Sequence, residues 1–168
     1  MPRYLADTSI WAWAAKPQRP DITKKLVKRV AADEVLTCVP VALEVMHRPD
    51  TGAKYQQQFE TLLEPLEWLT LTESAGSRAM EIQRQLAAES VGGHRRPPTD
   101  FLIAAIAEEN DGVVLWAFDN DYAVIAAVTG RPRAVNRAGT LTSDARRAVT
   151  PRDQPLRFCP ACVNVAHT

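Results

Sequence analysis

Four short apolar runs recur along this chain: "RYLAD" at 3–7, "VLTCV" at 35–39, "LEWLTL" at 66–71 and "GVVLWAF" at 112–118. Helical spacing fills the intervals between them, and "RAVN" at 133–136 adds a short fifth run. A parallel neighbour in a sheet needs a crossover long enough to hold a helix, so strands alternating with helices pair in parallel. The pattern predicts an α/β fold, with a mostly parallel central sheet of four to five strands flanked by helices. In such a sheet ligands bind outside the carboxyl ends of the strands.

The helical segments are legible one by one. Residues 9–15 form the first, stopped before Pro17. A second starts at Asp21 and carries Ile22, Leu26, Val27 and Val30 opposite a basic face of Lys24, Lys25, Lys28 and Arg29. "PVALEVMHR" at 40–48 opens with proline and is apolar nearly all round, which predicts a short buried helix. Further helices are expected over 51–65, ended by Pro65, and over 73–89, with Ala79, Ile82 and Leu86 on one side. The last two cover "TDFLIAAIAEEN" at 99–110 and "YAVIAAVTG" at 122–130. "SVGGHRRPP" at 90–98 is a loop by its glycines and prolines.

Beyond about Gly139 the periodicity fades. The expected organisation is one domain over residues 1–138 and a basic C-terminal extension over 139–168. After Asp121 there are seven arginines and two aspartates, a surplus of five positive charges, and the formal net charge of zero leaves the preceding body equally acidic. No apolar run reaches the length of a membrane span, and no basic-then-apolar leader opens the chain, so a cytoplasmic protein without a membrane partner is expected. Cys38 reads as a small buried residue in the second strand. Cys159 and Cys162 form "CPAC", with His167 nearby, which is half of a zinc site at best.

Several acids sit where apolar residues are expected. Asp7 ends the first strand, and Glu44 interrupts "VALEVM". Asp100 opens the most apolar helix, and Asp119 ends the fourth strand, with Asp121 two residues on. Each has a plain structural explanation. Asp7 and Asp100 suit helix caps, Asp119 and Asp121 suit a turn, and Arg48, one turn along, suits a partner for Glu44. The alternative is convergence at one edge of a parallel sheet. Carboxylates gathered there would repel one another, and a divalent cation removes that penalty. Oxygen donors alone suit Mg²⁺ or Mn²⁺. A metal held this way suits phosphodiester cleavage, with Thr8 and Ser9 placed to hydrogen-bond a ligand carboxylate or a bound water.

"YLADTSIW", "VPVALEVMHR" and "PPTDFLIAAIAEENDGVVLWAFDNDYAVIAAVTG" together resemble a PIN domain, and more narrowly the VapC toxins of bacterial toxin–antitoxin systems. The resemblance covers residues 3–137. It implies a Mg²⁺- or Mn²⁺-dependent endoribonuclease that cuts structured RNA such as tRNA or rRNA. It implies catalytic acids at Asp7, Glu44, Asp100 and Asp119, and a metal held by Asp7, Asp100, Asp119 and Asp121. Thr8 or Ser9 matches the hydroxyl after the first acid. The resemblance also implies a homodimer and a VapB-type antitoxin. The chain departs from the pattern at Tyr122, where phenylalanine is usual and the change looks mild, at "LWAFD", and in its last thirty residues.

His94, Arg95 and Arg96 lie in the loop before Asp100, where they are placed either to meet an RNA phosphate or simply to be solvated. Trp11 and Trp13 suit core or interface packing better than base stacking. The rival functions are a catalytically weak PIN-like module that binds RNA or protein, and a metal-dependent phosphatase of another class. An aspartyl phosphotransferase would want an acid where Ser9 stands. A receiver domain would want a late lysine, and none follows Lys54. No P-loop, GxGxxG or GxSxG motif occurs.

Overall fold

The strand that ends on Asp7 is the middle one of the sheet. In the computed structural model, which describes residues 2–89, 93–118, 121–129 and 133–135, β1 (Arg3–Ala6) lies between β2 (Val35–Cys38) and β4 (Val113–Ala117). β3 (Glu67–Leu69) and β5 (Arg133–Val135) form the two edges, giving the order β3-β2-β1-β4-β5. Every pairing is parallel. Ala6 stands opposite Trp116, and the Asp7 N–H continues the ladder onto the Trp116 carbonyl at 2.9 Å. The chain leaves β1 towards β2 and later returns to β1's other side as β4. The strand order therefore reverses at β1, and the crevice of such a sheet opens at that point.

The helices are α1 (Thr8–Ala14), α2 (Pro20–Val30), α3 (Val39–Val45), α4 (Gly52–Leu62), α5 (Glu73–Glu89), α6 (Pro98–Glu109) and α7 (Asp121–Thr129), with a single 3₁₀ turn at Gly93–Arg95. The core contains Leu5, Leu36, Ile10, Ile82, Ile103, Ile106 and Trp116, all fully buried. α6 is buried on nearly every side, as its unbroken apolar sequence requires. Its outer flank is tied to α5 by a two-pronged ion pair, Arg78 Nε and Nη2 to the Glu108 carboxylate at 2.8 and 3.0 Å. Among the described residues no helix is long and apolar enough to cross a membrane.

Several sequence expectations need correction. Asp21 does not start α2. Arg19 occupies the cap position, and Asp21 pairs with it from the first turn at 3.0 Å. Asp100 does not cap α6. Pro97 precedes the helix without a side-chain cap, and Asp100 lies in its first turn. α3 is apolar but not buried all round, since Val39 and Leu43 are exposed, Leu43 to 67%. The basic face of α2 is not simply solvated. Arg29 lies 3.4 Å from the Tyr4 ring centre and 4.4 Å from that of the buried Trp116, and Lys25 lies 5.7 Å from Trp116. Those two cations cover the aromatic underside of the sheet. Residues 139–168, including Cys159, Cys162 and His167, lie outside the described residues, as does Asp119.

Candidate active site

Asp7 is the N-cap of α1 as well as the end of β1. Its Oδ2 accepts the Ser9 N–H at 2.9 Å, and its backbone is extended as a cap requires. It is also 4% exposed. Burial holds its carboxyl above the usual aspartate range, against the opposing pull of hydrogen bonds from Ser9 and Tyr122. The Ser9 hydroxyl also hydrogen-bonds the Asp7 carboxylate, and it accepts the Phe118 N–H at 2.9 Å, which ties the start of α1 to the end of β4, one residue before Asp119. The buried Thr8 hydroxyl has no hydrogen-bond partner among the described residues.

Asp100 reaches Asp7 through an intermediary. The Tyr122 hydroxyl donates to Asp7 Oδ1 at 2.8 Å and lies 3.4 Å from Asp100 Oδ1. β1, α6 and α7 thus converge on one phenolic oxygen. Tyr122 is almost fully buried, and burial together with the charges of Asp7, Asp100 and Glu44 raises its pKa far enough to keep it protonated. The exchange of phenylalanine for tyrosine is mild in volume but not in chemistry, because it places a donor between two buried carboxylates. The amino-acid sequence signals this only as a tyrosine directly after "DND".

Glu44, half-buried on α3, is not held by Arg48. Thr99, one residue before Asp100, donates its hydroxyl to Glu44 Oε1, and Arg48 is exposed. The Coulombic influence of Glu44 nevertheless extends to Tyr122, and with that of Asp7 to Cys38, whose buried thiol is pushed up to about 12, chiefly by burial. Asp121 is engaged at the rim by Arg96, Nε to Oδ1 3.2 Å, while Arg96 Nη1 donates to the Gly93 carbonyl at 2.7 Å. Of the basic loop trio, then, Arg96 turns into the acidic cluster, Arg95 is exposed, and His94 is half-buried, its Nδ1 without a partner among the described residues. Trp11 is buried and donates to the Ala6 carbonyl, and Trp13 packs on Phe118 at 5.5 Å, so both serve packing.

Among the described residues no three His, Cys, Asp or Glu side chains are arranged so as to hold a metal ion. The donor chemistry that is present fits a hard cation. It comprises two buried carboxylates meeting at one hydroxyl, a third carboxylate within Coulombic reach, and the orphaned Thr8 hydroxyl beside Asp7.

Comparisons with known proteins place the chain in a family. The PIN domain family model matches residues 4–128. Ribonuclease VapC18 of Mycobacterium tuberculosis is 30% identical over 77% of this chain and 91% of its own length. Ribonuclease VapC51 of the same organism is 36% identical over 83% and 97%. The crystal structure of DNA-bound VapBC from Salmonella typhimurium has the same fold, with a TM-score of 0.59, 17% identity, and coverage of 73% of this chain and 92% of that one. This chain belongs to the PIN domain family, in the VapC branch.

Proposed function

We propose that this protein is a divalent-metal-dependent endoribonuclease, the toxin of a VapBC-type toxin–antitoxin pair, that cuts structured RNA such as tRNA or rRNA. One observation carries the reading. Asp7 and Asp100 are buried at the carboxyl end of the central strands and meet at one hydroxyl, in a chain 30–36% identical to proteins named as ribonucleases. Water-excluded carboxylates at a strand-order reversal suit a site that collects positive charge.

In this reading Asp7, Asp100, Asp119 and Asp121 hold Mg²⁺ or Mn²⁺. When bound, the cation would lower the pKa of an attacking water and neutralise the scissile phosphate. Glu44, aimed by Thr99, accepts the proton from that water. Ser9 fixes Asp7 and the end of β4 together. Arg96 pairs with Asp121 at rest and lies where an RNA phosphate would arrive, with Arg95 and His94 further out along the same loop. A VapB-type antitoxin and a second copy of the chain are the expected protein partners. The exposed apolar side chains Val39 and Leu43 on α3 and Met80 on α5 offer surface for such contacts.

The test is cleavage of total cellular RNA by the purified chain with Mg²⁺, with Mn²⁺ and with EDTA, beside Asp7→Asn. Discrete fragments that require metal and vanish in the variant are expected, and the mapped ends name the target. Equal cleavage by Asp7→Asn would displace the assigned site. A second reading is favoured by the Arg96–Asp121 ion pair, which already neutralises one acid of the set. That reading is a PIN-like module that binds RNA or protein, and tight RNA binding that is indifferent to EDTA, without cleavage, would select it.

A further inference from the structure

A phenol has one proton, yet the Tyr122 oxygen faces two carboxylates. The short contact, 2.8 Å, goes to Asp7 and the long one, 3.4 Å, to Asp100. The proton therefore serves Asp7, and Asp100 receives at most a weak share of it. With the Ser9 N–H on Oδ2 and the Tyr122 O–H on Oδ1, both oxygens of Asp7 are tethered, from α1 and from α7. The Ser9 hydroxyl and the Thr8 amide add to these tethers, so the plane of the carboxylate is fixed from more than one side. Tyr122 itself is immobile, its ring buried against the core at the start of α7.

We propose that Tyr122 is a positioning residue of the metal site: its hydroxyl locks the Asp7 carboxylate in one orientation and holds it beside Asp100, so that the pair is set for a cation before the cation arrives. The inference rests on the metal-dependent reading above and deepens it. The hydroxyl acts on the binding of metal through Asp7. It makes no contact with RNA in this account and transfers no proton.

Tyr122→Phe removes one oxygen and preserves the buried ring. Calorimetric titration of wild type, Tyr122→Phe and Asp7→Asn with Mn²⁺, without RNA, reads the effect directly. Mn²⁺ is expected to bind wild type, to bind Tyr122→Phe about tenfold more weakly, the scale of one hydrogen bond to a charged group, and to bind Asp7→Asn weakest. RNA cleavage by Tyr122→Phe should then recover towards the wild-type rate at saturating Mn²⁺, which a general loss of folding would not allow. Equal Mn²⁺ affinity in wild type and Tyr122→Phe would overturn the positioning role while leaving the metal site intact. Absence of Mn²⁺ binding to wild type would instead overturn the metal-dependent reading itself. If Tyr122→Phe does not fold, Tyr122→Met, which also lacks the hydroxyl, carries the same Mn²⁺ titration, and an affinity equal to that of wild type would overturn the positioning role.

Discussion

The Ser9 hydroxyl and amide, the Tyr122 hydroxyl and the Thr8 amide all favour the ionised form of Asp7, and burial opposes them. Burial wins, so its folded pKa lies above the unfolded aspartate value of about 3.9. A group shifted in that direction stabilises the fold when protonated. Its contribution is fully present below the unfolded pKa and is lost as pH rises through the folded one. The metal-free protein is therefore expected to gain stability from Asp7 as pH falls from neutral towards 4. Asp7→Asn should remove that part of the pH dependence. Because asparagine caps a helix as well as aspartate does, the variant's thermal midpoint in EDTA at pH 7 should equal or exceed that of wild type. Thermal melts of both proteins from pH 4 to 7.5 in EDTA check this, and a clearly lower midpoint for Asp7→Asn at pH 7 would contradict it.

At the scale of elements, the first turn of α6 does three things in succession. Pro98 opens the helix, Thr99 holds Glu44 of α3, and Asp100 faces Tyr122 of α7. Asp100 was legible as a candidate because an acid opens the most apolar helix of the chain. Its neighbour's role was not, since Thr99 and Glu44 are 55 residues apart and nothing local links them. The expectation that Arg48 holds Glu44 followed the rule for neighbouring helix turns, but α3 ends at Val45 and the ladder that would face the two side chains stops there. Thr99→Val keeps the shape of the side chain and removes the donor. It is expected to lower RNA cleavage about tenfold, the scale of a hydrogen bond to a charged acceptor, with a shift in thermal midpoint small beside that of a core deletion. Cleavage rates and melts of the same preparation separate the two effects. For comparison, Ile106→Ala on the buried side of α6 should cost about 2–5 kcal/mol in denaturant unfolding.

Across the whole molecule the sheet does the assembling. The reversal of strand order at β1 brings the ends of β1 and β4 side by side, and α6 and α7 add Asp100 and Tyr122 to the same crevice. The buried core of the described residues closes by Ile125, and β5 is complete at Val135. A chain ending at residue 138 is accordingly expected to unfold at the same midpoint as the full chain and to cleave RNA at the same rate as the full chain. A marked fall in either would make the extension part of the functional domain.

The alternation of apolar runs with helical spacing determined the fold class by itself, because hydrophobic periodicity is a local property and parallel pairing follows from the length of the crossovers. The same local reading found the acids, since a carboxylate within or against an apolar segment is anomalous wherever the chain takes it. The tertiary structure alone decided which groups meet. Tyr122 and Asp7 lie 115 residues apart, so packing alone brought the donor to Oδ1, whereas the Ser9 amide on Oδ2 is local. Arg96 meets Asp121, and Arg29 covers Tyr4, for the same reason. Hydrogen bonds and ion pairs depend on distances of a few ångströms between distant segments, and only the packed sheet and its helices set those distances.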